Sequence, residues 1–244
     1  MTLHELTPTC AIVTIGDELV EGRVDNGNAT WLAHELLQVG LWPRLMIAVP
    51  DDESSISRIL PMAARMVDIV IVCGGLGFTP DDVTRRAVAQ AFGCDITVDT
   101  DMAAIIFEAC EWASDEVATA VATFPVGSVP IPSACGGVPG FTLGNVHVLP
   151  GSPTEMRAMF AALPLPQTGG RVLNHVSTWM TKEHAVNDIL KAFDTYNERV
   201  GLGCFVGVKD APLTIVLTSR SAEALARAVA WLSPRMEAVS DRKH

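Results

Sequence analysis

A chain of 244 residues, 49% hydrophobic and 18% charged, has the composition of a soluble globular protein, with room for one large domain or two unequal ones. No apolar run approaches the roughly 18 residues of a membrane helix, which excludes a helical membrane span. The net charge of −11 is unevenly spread: residues 1–168 hold 7 arginines, no lysine and 20 acidic residues, whereas 169–244 hold 10 basic and 8 acidic. So acidic a first part excludes long-range attraction of nucleic acid; a phosphate there must be held by backbone N–H groups, a few arginines or a metal ion.

The first nine residues contain Glu5 and no basic residue, unlike a signal peptide. Six cysteines, at 10, 73, 94, 110, 135 and 204, form no CxxC pair and no zinc spacing. Buried reduced thiols in a cytoplasmic protein are the expectation. Cys10 to Ile15 is a β-rich apolar run ending in Gly16, a buried strand. Asn26 to Val39 shows helical spacing through Leu32, Leu36 and Val39, with Gly40 as its stop. Leu45 to Val49 reads as a strand, and Glu53 to Met66 as a helix weakened by Pro61. Asp68 to Cys73 is almost wholly apolar, as a parallel strand covered on both faces should be. Pro80 to Phe92 reads as a helix. The alternation β-α-β-α-β-α predicts an α/β fold: a three-layer, open, mostly parallel sheet with ligands outside the carboxyl ends of its strands.

Asp99 to Thr123 is alanine-rich and reads as helical. Val126 to Gly140 reads as turns with short strands. Val146 to Leu149 is a strand, followed by Pro150-Gly151-Ser152-Pro153 and a helix through Phe160. Pro164 to Gly170 is a linker candidate. Beyond it come a strand (Val172 to Thr178), a helix (Lys182 to Phe193), strands at Cys204 to Val208 and Leu213 to Thr218, and a helix from Ala222 to Leu232. That pattern divides the chain into an α/β domain over 1–166 and a small α+β module over 171–244.

Three loops after strands could carry chemistry. In the first, Gly74, Gly75 and Gly77 let the backbone approach a ligand, Thr79 is a natural N-cap and Pro80 a natural first helical residue. The helix start would offer N–H groups to phosphate, with Asp81 and Asp82 in its first turn; those acids equally suit the helix dipole alone. The second is Gly16-Asp17-Glu18-Leu19. If its strand neighbours Asp68–Cys73, then Asp17, Glu18, Asp81 and Asp82 share a cleft, and with a phosphate they would need a divalent cation such as magnesium. The third holds Gly151, Ser152 and Pro153, where Ser152 caps the next helix or donates to a phosphate. Arg85 and Arg86 read as solvated by helical period. His34 reads as a surface residue and His147 as packing.

These segments, with Asn26-x-Asn28, Thr79-x-Asp81-Asp82-x-Thr84, Pro139-Gly140-Phe141 and Pro150-Gly151-x-Pro153-x-Glu155-Met156, come in an order that resembles competence/damage-inducible protein A, the CinA family, over about residues 9 to 162. The domain is similar to the molybdopterin-binding fold of the MoaB/Mog proteins. The trailing module resembles the KH-like middle domain of CinA, and the activity of the family's carboxyl-terminal deamidase domain is not expected of this sequence. The module has no GxxG turn with basic neighbours, which argues against RNA binding.

The resemblance implies that Asp17 and Asp82 are tied to metal and adenylyl chemistry. It also implies that the glycine and proline loops, with Asn28, hold phosphate or pterin. The implied activity is hydrolysis of a nucleotide pyrophosphate such as ADP-ribose or FAD, with magnesium, manganese or cobalt. Molybdopterin binding or adenylylation in molybdenum-cofactor biosynthesis is the second reading, for which Phe78 speaks. A non-catalytic binding or assembly protein is the third. It is motivated by Glu116 to Gly127, which lacks the family's bases and amides, and by Ser133 and Gly136-Gly137 in place of an asparagine and a Gly-Thr. By analogy of fold a homo-oligomer, dimer or trimer, is expected.

Overall fold

The computed structural model describes residues 8–110, 113–134, 136–166, 171–196, 200–206 and 212–240. They form two compact units, one within 8–37 and 41–166 and the other within 171–240.

The first unit is built on a six-stranded sheet. Its strands are β1 (Thr9–Ile15), β2 (Trp42–Val49), β3 (Ile69–Cys73), β6 (Val129–Ile131), β7 (Gly140–Leu143) and β8 (Val146–Leu149), in the order β2-β1-β3-β8-β7-β6. The pairs β1–β2, β1–β3 and β3–β8 are parallel, while β6–β7 and β7–β8 are antiparallel. Every residue of β1, β3 and β8 is buried, which explains their unbroken apolar runs: each is covered on both faces. Both edge strands carry a proline, Pro43 in β2 and Pro130 in β6, where a missing N–H is tolerated.

Alternate residues of the central strands feed two cores. Ala11, Val13, Val70 and Val72 pack with α3 (Glu53–Met66) and α4 (Thr84–Phe92). Cys10, Ile12, Ile69 and Ile71 pack with α2 (Gly27–Gln38) and α7 (Pro153–Ala161). This is the three-layer, mostly parallel α/β arrangement that the sequence predicts. Each fully buried Leu, Ile or Phe in these cores contributes roughly 1.5–3 kcal/mol. The α3 helix runs through Pro61 and is held at its start by Asp52, whose carboxylate accepts from the Ser55 amide.

Several boundaries differ from expectation. The run Asp99 to Thr123 is two helices, α5 (Thr100–Ala109) and α6 (Asp115–Val121), capped by Asp99 and Ser114 respectively. A two-stranded ribbon, β4 (Ile96–Val98) with β5 (Thr123–Pro125), flanks them. A short helix, α1 (Asp17–Val20), follows β1. Residues 167–170 of the expected linker lie outside the described residues.

The smaller unit has a three-stranded antiparallel sheet made of β9 (Leu173–Trp179), β10 (Gly201–Phe205) and β11 (Leu213–Ser219), in the order β10-β11-β9. Gly207 and Val208 of the expected strand lie outside the described residues. Helices α8 (Glu183–Tyr196) and α9 (Ala222–Ser240) share one core with Leu213, Ile215 and Leu217 of β11. Among the described residues, no helix is long and apolar enough to cross a membrane.

Candidate functional site

The three buried parallel strands of the large unit end side by side, with Thr14 beside Cys73 and Cys73 beside Leu149. Their following loops therefore meet. Gly74 donates its N–H to the Leu149 carbonyl at 3.1 Å, and Gly16 donates to the Val49 carbonyl at 3.0 Å. Gly74 has φ +117°, and a Cβ there would lie 2.3 Å from the Ile15 carbonyl oxygen, so only glycine fits. Thr84 clamps this loop from behind: its hydroxyl donates to the Gly74 carbonyl at 2.9 Å and its N–H to the Gly75 carbonyl at 3.2 Å. A Cβ on Gly151 would lie 3.5 Å from the Gly74 Cα, so the proline loop rests against the glycine loop.

Asn28, in the first turn of α2, ties these parts together. Its amide donates to the Gly151 carbonyl at 2.8 Å and to the Cys73 sulfur at 3.4 Å. The Cys73 thiol in turn donates to the Pro150 carbonyl. Burial pushes that thiol up to about 12, so it stays a thiol and serves as packing. Asn26 caps α2 by accepting from the Ala29 amide and donates to the Thr14 hydroxyl.

The start of α4 is a correction to the sequence reading. The helix begins at Thr84, not Pro80, and its cap residue Val83 makes no side-chain cap. Thr79 and Pro80 lie in a turn, because the Asp82 carboxylate folds back over the loop. Its Oδ1 accepts from the Gly77 amide at 2.7 Å; its Oδ2 accepts from the Thr79 amide at 2.9 Å and the Thr79 hydroxyl at 2.6 Å. Three donors to one carboxylate outweigh the weak preference of Thr-Pro-Asp for a helix start. Ser152 precedes α7 but makes no side-chain cap, and it is exposed. Pro153 fills the first helical position, which has no N–H to satisfy.

The carboxylates are arranged differently from expectation. Asp17 pairs with Asp51, a residue the sequence reading did not select: the Asp17 amide donates to Asp51 at 2.9 Å and the Asp51 amide to Asp17 at 3.1 Å. Burial holds the Asp51 carboxyl above the ordinary aspartate value, the Asp17 amide pulls it down, and the charges of Asp17, Glu18 and Asp81 push it up. So Asp17, Glu18, Asp51 and Asp81 form one field, while both oxygens of Asp82 are committed to the glycine loop. Among the described residues, no three His, Cys, Asp or Glu stand where they could hold a metal ion. Of the expected set, Asp82 is turned onto the glycine loop, while Asp17, Glu18 and Asp81 share the field around Asp51.

Arg85 is a second correction. It is 6% exposed rather than solvated, and its Nη1 donates to the Gly77 carbonyl at 3.2 Å. The helical period did not reveal this because Ala87 and Ala89 widen the buried face of α4, and alanine marks neither core nor surface. Arg86 is at the surface, paired with Glu53 at 2.6 Å. His147 is buried beside the Thr142 hydroxyl at 2.8 Å, with burial holding it below the ordinary histidine value, in keeping with packing. His34 lies at the surface beside Glu35.

Comparison with known proteins places this geometry among relatives. Residues 11–169 match the family model described as a probable molybdopterin binding domain. A protein of Pyrobaculum calidifontis is 40% identical over 162 residues, 63% of this chain and 61% of the relative. A Pyrococcus furiosus protein is 32% identical over 220 residues, 81% of this chain and 87% of the relative. The crystal structure of CinA, a protein with unknown function from Thermoplasma acidophilum, is similar with a TM-score of 0.60 and 32% identity; the match covers 64% of this chain and 95% of that one. The aligned segments span 59–64% of the first four curated relatives' length.

Proposed function

The chain belongs to the molybdopterin-binding-domain family, and from that premise we propose that its large unit binds a phosphate-bearing pterin or nucleotide between the glycine loop at 74–77 and the proline loop at 150–153. The observation that carries this reading is the meeting of the two loops at Gly74 and Gly151, locked by Asn28. Each residue then has a task. The glycines bring bare backbone to the ligand. Ser152 donates its uncommitted hydroxyl, and the first amides of α7 face a negative group with the favourable end of the helix dipole. Asn28 orients the proline loop and acts through it. Equilibrium binding of molybdopterin and of ADP-ribose tests the reading. Asn28→Ala should weaken the bound ligand about tenfold, the worth of one such hydrogen bond. Retention of full affinity by Asn28→Ala and Ser152→Ala together would place the ligand elsewhere.

One observation favours a second reading, hydrolysis of a nucleotide pyrophosphate of the ADP-ribose or FAD type. The crowding of Asp17, Glu18 and Asp81 around Asp51 is a field that a magnesium, manganese or cobalt ion would relieve. Release of AMP that needs a metal and is lost in Asp17→Asn and Asp82→Asn supports it. Absence of turnover with every metal leaves pterin binding, or an assembly role without catalysis. A homo-oligomer, dimer or trimer, belongs to the same proposal and is read by light scattering.

A further inference from the structure

The glycine loop already contains an anion. Gly77 N–H, Thr79 N–H and Thr79 Oγ–H converge on the Asp82 carboxylate. That is the donor set an amide-lined loop offers to a phosphate oxygen. A Cβ on Gly77 would lie 2.3 Å from Asp82 Oδ2, so the absence of a side chain there is what lets the carboxylate settle on the loop.

Behind the same loop lies a cation short of partners. Arg85 Nη1 donates to the Gly77 carbonyl, but its Nε and Nη2 are buried without an acceptor among the described residues. The Phe124 ring lies 5.9 Å from the guanidinium and offers those N–H groups no oxygen. Buried guanidinium N–H groups without acceptors are costly and uncommon. Burial lowers the Arg85 pKa to about 10 and the Asp82 charge opposes that shift, so the two residues sense each other although they share no hydrogen bond. Two donor sets therefore compete for one carboxylate.

We propose that Asp82 is a resident stand-in for the ligand's phosphate: when a phosphate oxygen takes the Gly77 and Thr79 donors, the Asp82 carboxylate moves onto Nε and Nη2 of Arg85. The inference rests on the reading that this loop receives phosphate. It makes Arg85 a positioning residue that never touches the ligand and gives the displaced charge a seat. It also makes the empty loop selective for ligands that bring their own anion, since a neutral pterin or nucleoside cannot replace a carboxylate there.

The test titrates inorganic pyrophosphate into the full chain in the presence of EDTA, followed by NMR of the Gly77 and Thr79 amides and the Arg85 Nε–H. In the wild type all three resonances should move together. In Asp82→Asn, which keeps an acceptor oxygen and loses the charge, pyrophosphate should bind about tenfold tighter, the factor expected when one charge-assisted competitor is removed. The Arg85 signal should then stay in place. Arg85→Gln should weaken binding by a similar factor, and that effect should vanish when Asp82→Asn is also present. Circular dichroism melts check folding; if Arg85→Gln unfolds, the wild-type and Asp82→Asn spectra still decide. Equal affinity in Asp82→Asn, or an Arg85 shift of the same size in it, overturns the exchange. Loop amides that move while Arg85 stays silent also overturn it and leave the phosphate reading standing. No movement of either amide at saturating pyrophosphate defeats both.

Discussion

The loops at 74–82 and 150–153 have the same topological task, leaving a buried parallel strand and entering a helix, and they are built on opposite principles. The first is closed on itself. Gly74 is pressed against the Ile15 carbonyl, Thr84 clamps two of its carbonyls, and Asp82 occupies its amides. The second is open. Gly151, Ser152 and Pro153 are exposed, and the Ser152 hydroxyl caps nothing. A change to the glycine backbone of the first loop is therefore read mainly in stability, and a change in the second loop mainly in binding. The contrast sets a rigid wall, fixed by backbone contact, beside an exposed one whose serine makes no side-chain cap.

The largest effect expected from this contrast is Gly74→Ala. A Cβ would meet a backbone oxygen that cannot yield, at a φ of +117° that other residues avoid. The cost should exceed about 3 kcal/mol, a large share of the about 5–15 kcal/mol of a domain of ordinary stability. Urea unfolding measures it. A loss below about 1 kcal/mol would mean the loop is as yielding as its partner.

Gly77→Ala should be milder. Its Cβ would strike the end of a side chain, the Asp82 carboxylate, which can swing away. The loss of its charge-assisted bonds to Gly77 and Thr79 should cost about 1–3 kcal/mol. In the Asp82→Asn background the charge-assisted share of that cost should be absent, and the same urea melts read the difference.

Ser152→Ala carries the comparison to the open loop. Removing a working N-cap serine costs about 1 kcal/mol. Since Ser152 makes no cap bond, its removal should change stability by less than about 0.5 kcal/mol while lowering ligand affinity about tenfold. Thermal melts and equilibrium binding on one sample separate the two. A large drop in Tm with unchanged affinity would reverse the roles of the loops.

The closed loop is also the harder to read from sequence. The strands beneath both loops are legible because continuous apolar runs such as Ile69–Cys73 have one interpretation, and the ends of α3 fall at Glu53 and Met66 as the spacing predicts. Thr79-Pro80-Asp81-Asp82 has two interpretations, a helix start or a loop closed by its own carboxylate, and nothing local decides between them. Arg85 depends on how wide the buried face of an alanine-bearing helix is. Asp51 lies in the short turn between β2 and α3, next to Asp52, which alone caps the helix. Its partnership with Asp17 spans 34 positions and follows from the pairing of β1 with β2, which no spacing in the sequence displays.

The smallest effect tests that partnership. The fold raises the Asp51 pKa, so the native state holds this proton at pH values where the unfolded chain has released it. Stability then falls as pH rises from the ordinary aspartate value through the raised one, and the penalty is complete above it. Asp51→Asn keeps an oxygen for the Asp17 amide and removes the charge. Its Tm should exceed that of the wild type at pH 7, and the gap should close below about pH 3, where the wild-type carboxyl is protonated too. Partial exposure screens the group, so the gain should stay under about 0.5 kcal/mol. Salt then divides its causes. The repulsion from Asp17, Glu18 and Asp81 acts through solvent and should fade in 1 M salt, where the screening length is about 3 Å. Burial, the larger cause, should persist there. A gap that vanished entirely in salt would make Asp51 a surface charge among others, with no part of its shift owed to its half-buried place beside Asp17.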